Sequence, residues 1–557
     1  MSVRPTFFGL EIAKTGLFVS QKGLDVTGHN VANADTEGYT RQRLVNTAYE
    51  PYSVPTLLRP VDQALVGGGA HVMILDQIRD QFLDRQYRTE SSTLGYWSAR
   101  TQGLTYVEGL FEGEETANLT ESLNSFFTAL NVDSNQPESG AFRTNLRETA
   151  QTLITDLNLL YERLEQQQLA LDKTTEILTS NINDIAAQIA DLNGAIYRYE
   201  IDGQPANDLR DKRNLLVDKL SEIVDIEYGE TGDPGQAFGG KFWLSIGGVN
   251  LVNHISAGEL RCVSAGNTNI VANELLTEVN MPVWVADANG GNPGAGLDIK
   301  EGKLKATIDL RDSAEFDDAD ATISPGIPYF MEQLNNLARA VVQEINDVHY
   351  SGWTSSNAPG GSHDGVLFFN FEGSTYTDAT ALKASIHEVT AGNIRLDQAI
   401  MDDLNNIAAS EYKIVLDPSD PAYNPNGAVD PNIDKTTHEG NQVNVAKMYS
   451  VIQSNSITLT LPLPSGTVSV GGLFDFLDGI INDVAVTLNT SKSFEDARSV
   501  QTLAVANQRE SVSGVNLDEE MTNLIKYQHA YGSAARVITA MDEALDVLIN
   551  KMGVVGR

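Results

Sequence analysis

The chain has 557 residues, too many for one hydrophobic core, and at roughly 150 residues per domain about three or four units are expected. Its 38 Lys+Arg against 75 Asp+Glu leave a formal charge of −37, which repels phosphate backbones and anionic lipid heads and so argues against nucleic acid and membrane surfaces as partners. Cys262 is the only cysteine, so no intramolecular disulfide forms, and no run of about 18 apolar residues marks a membrane span.

The acid is unevenly placed. Residues 1–60 carry six basic and five acidic side chains and residues 512–557 four and six, so the two ends sum to −1 and the remaining −36 lies between them. Near-neutral ends can pack against copies of themselves, whereas the acidic middle is suited to face water. The opening "MSVRPTFFGLEIAKTGLFVS" is interrupted by Glu11 and Lys14 and lacks a small-residue cleavage site, so no cleaved secretory signal is expected.

From Leu10 a heptad runs through Leu17, Leu24 and Val31, with the small Ala13, Ser20 and Thr27 three residues after the first three. This predicts a helix with a narrow stripe for close helix contact. A helical pattern follows over about residues 146–199, with Leu153, Leu157, Leu160, Leu164, Leu171, Leu178, Ile185 and Leu192; a kink is possible near "DKTTE". "DGQPAND" stops it, Asn207 or Asp208 can cap the next helix, and the two helices are expected to form a hairpin. From residue 228 to about 310 the period becomes two, in "KFWLSIGGVNLV" and "GKLKATIDL", which predicts an antiparallel β region. A helix is expected over about 328–350, then a loop-heavy, β-containing insertion over 354–440, with helices returning near Val443, Leu473 and Ser493. The last helix carries a seam of alternating four- and three-residue steps from Leu517 to Met552, broken by Gln528 and Asp542, and "AYGSAAR" would admit a partner helix closely.

"FDDADAT" and "DPSDPAYNPNGAVDPNID" lack the ligand spacing of a calcium loop, and "GSHDG" pairs His363 with Asp364 but supplies no nucleophile or second ligand. Gly67, Gly68 and Gly69 are followed by Ala70 and His71, so no phosphate loop is formed, and no zinc spacing occurs. No catalytic, cofactor or metal residue is therefore assigned. "HNVANADTEGYTRQR", from His29, resembles an active-site loop in composition, but it assembles no base, nucleophile and orienting group. Asn33 falls where the helix must end and tolerates a left-handed cap, and Gly38 suits the positive φ of a type II turn across "TEGY", fixing Tyr39 and Arg41 for packing.

Several stretches resemble a known family. "NVANADTEGYTRQ" is similar to the N-terminal signature of the flagellar axial proteins, and "SVSGVNLDEEMTNLIKYQHAYGSAARVITAMDEALDVLINKM" to their C-terminal signature, in the form found in the hook-associated protein 1 family. "ANDLRDKRNLLVDKLSEIV" and "GKLKATIDLRD" resemble interior motifs of that family, whereas residues 354–440 match nothing. The resemblance implies a structural, non-enzymatic protein of the hook–filament junction, forming a tubular layer after export through the flagellar type III channel. Implied partners are further copies of the chain, the hook protein, hook-associated protein 3, and an export chaperone masking the C-terminal helix. A rival reading is another extracellular coiled-coil protein, such as an adhesin or a secretion-apparatus translocator.

The expected fold is α+β and multidomain. Residues 1–65 and 512–557 form a terminal domain of paired coiled-coil helices; 66–227, 305–353 and 441–511 form an elongated helical core; 228–304 and 354–440 are a β-rich and a loop-rich insertion. The assembly interface is expected at Leu10, Leu17, Leu24, Val31, Asn33, Gly38, Tyr39 and Arg41, and at Leu517, Met521, Leu524, Tyr531, Ala535, Ile538, Leu545 and Ile549.

Overall fold

A computed structural model describes residues 8–49, 67–112, 118–131, 139–201, 203–231, 240–266, 278–314, 325–354, 365–410, 443–453, 457–460 and 467–547. The chain opens with helix α1 (Phe8–Ala32) and the antiparallel hairpin β1 (Gln42–Ala48) and β2 (Ala70–Gln77). Helices α2 (Gln81–Glu112), α3 (Leu119–Leu130), α4 (Gly140–Glu200) and α5 (Asn207–Ile223) follow.

The β region comprises β3 (Glu227–Thr231), β4 (Lys241–Ile246), β5 (Val249–Asn253) and β6 (Ser256–Ala257) in one sheet of that order. Beside it lies the two-stranded ribbon β7 (Glu259–Gly266) and β8 (Glu278–Ala286). Next come α6 (Lys303–Asp312), α7 (Ile327–Tyr350), β9 (Phe369–Phe371), α8 (Ala379–Ala384), β10 (Ile394–Leu396), α9 (Gln398–Asp402) and α10 (Val443–Ile452). A hairpin of β11 (Ile457–Thr460) and β12 (Thr467–Gly471) leads into the closing helices α11 (Leu473–Ser513) and α12 (Leu517–Asp546).

Helix α4 is the spine. Its 61 residues span roughly 90 Å at 1.5 Å rise, and Ser139 caps its start by accepting from Ala141 N. Leu146 to Leu164 enter one hydrophobic core, with α3, α7, α10 and the first half of α11. Ile182 to Ala190 enter a second, with α5 and the strands β4, β5 and β8. Between the cores the helix is unbroken where "DKTTE" could have kinked it. The waist there is polar: Asp172 meets Arg311 Nη1 at 2.7 Å, and the Gln168 amide donates to Arg311 O at 3.0 Å. The buried stripe also drifts off the strict heptad, passing from Leu164 through Gln168 to Thr175, Thr179 and Ile182, while Leu171, Leu178 and Ile185 are only partly buried. A straight helix of 3.6 residues per turn rotates away from a seven-residue repeat over this length.

The α4–α5 hairpin forms as expected, with Arg213 Nη1 on Asn193 Oδ1 at 3.1 Å. Neither Asn207 nor Asp208 is its N-cap, which falls on Ala206 without a side-chain bond. Both side chains are engaged further away, as described below. In "KFWLSIGGVNLV", Gly247 and Gly248 take φ of 54° and 78°, the positive pair a tight β4–β5 turn requires. "GKLKATIDL", by contrast, is the helix α6 and not a strand. Its apolar residues at 304, 306, 308 and 310 alternate, but Leu304, Thr307, Leu310 and Arg311 also share a helical face, and that face is the buried one.

Residues 366–409 also depart from the picture of a separate insertion. Phe368, Phe369, Leu382, Ile394 and Ile400 belong to the first core, and β9 pairs with β10 there. Helix α11 is one helix through both Leu473 and Ser493, antiparallel to α2, where Trp97 stacks on Phe494 with centroids 4.5 Å apart. The Asp-rich segments at 316–322 and 417–434, and His363 with Asp364, lie outside the described residues.

Candidate assembly interface

Helices α1 and α12 run antiparallel: a side chain at Gly9 would meet Met541, Gly23 lies under the Tyr527 ring, and Asn30 bonds Glu520. The face of α1 that is buried carries the small and polar positions Ala13, Ser20, Gly23, Thr27 and Asn30, with Val26 beside them. Leu10, Leu17, Leu24 and Val31 are half-buried along its margin. Small residues let the helix backbones approach, and the large ones are displaced to the flank. On α12 the half-buried Leu524, Ala535, Ile538 and Leu545 share a face with Glu520 and Tyr527. Leu517 and Met521 are exposed and Tyr531 nearly so, while Ile549 lies outside the described residues. Glu520 is the one buried side chain among the described residues of α12.

The segment from His29 to Arg43 is the joint that ties this pair to the rest. Asn33 closes α1, but not in a left-handed conformation: its φ is not positive, and its Nδ2 instead donates to His29 O at 2.9 Å, meeting an orphan helix carbonyl by side chain. Gly38 has φ 76°, and Tyr39 N donates to Thr36 O at 3.1 Å, the turn anticipated across "TEGY". Tyr39 OH then donates to Asn30 Oδ1 at 2.8 Å and sits 3.0 Å from His29 Nδ1. Asn30 is saturated, since Oδ1 also accepts from Gln42 N, and Nδ2 donates to Gln42 O and to Glu520 Oε2.

Arg41 clasps the start of α12. Its Nε lies 2.8 Å from Glu520 Oε1 and its Nη1 2.6 Å from Glu519 Oε2, and its backbone N donates to Ser513 O at the end of α11. Burial opposes the guanidinium charge, but the two carboxylates outweigh it and raise the Arg41 pKa. Burial, with Asp208, Asp211 and Glu520 nearby, pushes the Tyr39 phenol upward, so it stays a neutral donor.

The same segment reaches α5. Thr40 N donates to Asp211 Oδ2 at 3.0 Å, the Gln42 amide to Asp208 Oδ1 at 2.8 Å, and the Gln77 amide to Asp211 Oδ1 at 2.9 Å. Asn207 Nδ2 donates to Leu75 O. These contacts explain why Asn207 and Asp208 do not cap α5. Below them Asp218 is held by Arg88 Nε at 2.6 Å and Arg509 Nη1 at 2.7 Å; burial would raise its pKa, but the two guanidiniums hold it below the ordinary range. Sequence reasoning singled out Gly38, Tyr39 and Arg41 but missed Asn30, Asp211 and Glu520. They lie within "HNVAN", "LRDKR" and "LDEEM", where no local pattern sets them apart from their neighbours.

Among the described residues no group of three or more His, Cys, Asp and Glu side chains could hold a metal ion, and no helix is long and apolar enough to cross a membrane. The arrangement is that of a structural clamp, in which one loop bonds the first helix, the last helix and the rod.

Family models agree with that division. Residues 10–40 match the flagella basal body rod protein model and 506–551 the flagellar basal body rod FlgEFG protein C-terminal model, which places the chain among the flagellar axial proteins. Residues 104–364 match the model of the flagellar hook-associated protein FlgK helical domain. The chain is 28% identical to flagellar hook-associated protein 1 of Bacillus subtilis (strain 168), covering 99% of both, and 25% identical to the protein of that name from Escherichia coli (strain K12), covering 97% of this chain and 98% of the relative. Over nearly its whole length the chain is thus similar to the flagellar hook-associated protein 1 family. Its fold is similar to that of the flagellar hook junction protein FlgK from Burkholderia pseudomallei, with a TM-score of 0.54 at 15% identity over 78% of this chain and all of that one.

Proposed function

We propose that this chain is a non-enzymatic structural protein that joins hook to filament, assembling into a tubular layer of copies through its α1–α12 pair. The observation that carries this is the state of α12: Glu520 alone is buried, and Leu517, Met521, Ile525 and Val537 are each about half exposed. An apolar helix so thinly covered by its own chain is completed by neighbours. In this reading the terminal helices wind as a coiled coil toward the interior of the tube, and the acidic rod, carrying nearly all of the −37, faces water. In this reading the domains are 1–65 with 512–557, a helical core, and inserted segments, with residues 366–409 part of the core. Hook protein and hook-associated protein 3 are the axial neighbours. Export proceeds through the type III channel without a cleaved signal, and a chaperone covers α12 until then.

The test adds purified full-length chain, or a chain ending at residue 513, to isolated hooks that lack their junction. Bound protein is counted by immunogold labelling. The full chain should cap the hooks and the shortened one should not. Full-length chain that leaves hooks bare, or a shortened chain that caps them, contradicts the proposal.

A further inference from the structure

Three aliphatic side chains of α12, Leu517, Met521 and Ile525, recur every fourth residue and are 51%, 50% and 51% exposed. At 100° per residue they lie about 130° around the helix from Glu520, Asn523 and Tyr527. Those three residues line a cleft of about 360 Å³ between α12, α1 and β1. Val26, Leu44 and Ile78 line the same cleft, and Arg43, largely exposed, stands among its lining residues. Asp518, beside the aliphatic stripe, is also exposed. The molecule thus carries on one flank an apolar stripe with a carboxylate next to it, and on the other a cleft in which Val26, Leu44 and Ile78 stand among polar side chains and a guanidinium.

We infer that the stripe of Leu517, Met521 and Ile525 in one copy seats in the α1–β1–α12 cleft of a second copy, with Asp518 facing Arg43 across the contact. The inference rests on the assembly reading above and names the contact within it. Charge favours a second copy as the occupant, because the two ends of the chain sum to −1 while the rest carries −36. Copies can therefore approach closely only by their ends. Stripe and cleft are different surfaces of one molecule, so the contact is heterologous and repeats head to tail, as a ring or tube of copies requires. Three half-exposed side chains bury far less than the roughly 800 Å² per partner of a stable complex. The free chain accordingly stays monomeric, and copies add only where other neighbours also hold them.

The experiment uses the full chain with Cys262→Ser, Met521→Cys and Leu44→Cys, produced in cells lacking the parent. Isolated hooks and filaments are oxidised and run under denaturing conditions, with immunogold labelling of the junction alongside. A ladder of linked multimers in the assembled material is expected, with monomers from the free chain and no dimer from either single-cysteine chain. Dimers from Met521→Cys alone, or links only to a different protein, overturn the head-to-tail contact. Labelled junctions whose chains stay monomeric after oxidation overturn it too, but leave the junction role standing. Absence of even the parent chain from the junction instead removes the reading on which the inference rests. Should the paired variant not reach the junction, Met521→Asp decides. At an exposed site it should leave the melting temperature of the free chain unchanged and lower incorporation at least tenfold, and parental incorporation overturns the inference.

Discussion

Replacing Glu520 by Ala tests the clamp where its chemistry is most concentrated. The carboxylate is 2% exposed and accepts from Arg41 Nε, Arg41 Nη2 and Asn30 Nδ2 at 2.8, 2.7 and 3.1 Å. Hydrogen bonds to charged groups contribute about 1.5–3 kcal/mol each, but part of that is offset by the cost of burying the ions. Arg41 keeps Glu519, and the Asn30 amide keeps Gln42 O, so neither donor is stranded. The net loss should be about 2–3 kcal/mol. It should also be local, since neither hydrophobic core draws a residue from α1 or α12. Native-state hydrogen exchange on the free chain is the assay: amides in the first half of α12 should exchange about 30- to 150-fold faster, at 1.4 kcal/mol per tenfold, while those of α4 keep their protection. Glu519→Ala, on the half-exposed partner, should change exchange less than about fivefold. Parental exchange in α12 of Glu520→Ala would show that the Arg41–Glu520–Asn30 knot does not hold the helix.

His349 is buried, its Nδ1 bonded to Val366 O at 2.7 Å and its Nε2 accepting from Ala408 N at 2.9 Å, and burial lowers its pKa from 6.5 to about 4. Its contribution is full above pH 6.5 and is lost as pH falls toward 4, because the unfolded chain binds the proton first. Acidifying from pH 7 to 4.5 should therefore lower the urea-unfolding free energy of the parent by about 2.5 kcal/mol more than that of His349→Gln, and equal losses contradict the assignment. Leu157, with no exposure in the first core, should cost about 3 kcal/mol as Leu157→Ala and more as Leu157→Asp; melts matching the parent would refute its place in the seam. Gly38→Val forces a β-branched residue to φ 76° with its Cβ 3.2 Å from Leu215 Cβ, so it should destabilise the joint by about 1 kcal/mol or more and lower incorporation at hooks, and normal incorporation would count against the turn.

Local patterns carried much of this fold. The long leucine repeat announced α4 within six residues of its start, the period-two pattern of "KFWLSIGGVNLV" announced the strands β4 and β5, and Gly38 announced the loop that organises the joint. What escaped was set by contacts distant in sequence. In the α1 heptad the leucines looked like the seam, yet the partner helix packs on the small residues between them, a choice that only the shape of α12 decides. Asn207 and Asp208 are good caps in isolation but are claimed by Leu75 O and Gln42, more than 100 residues earlier. "GKLKATIDL" satisfies two periods in nine residues, and the demand of Asp172 for Arg311 is invisible within it. Glu520 stands among three acids that suit the start of a helix, and nothing local says that one of them is buried against Arg41.

The most direct measurement of the central claim is electron microscopy of cells from which this chain has been deleted, together with the culture medium. Intact hooks should remain on the cells without filaments, filament protein should be found free in the medium, and restoring the full chain should restore attached filaments. Normal flagella on the deleted cells would contradict the junction role outright.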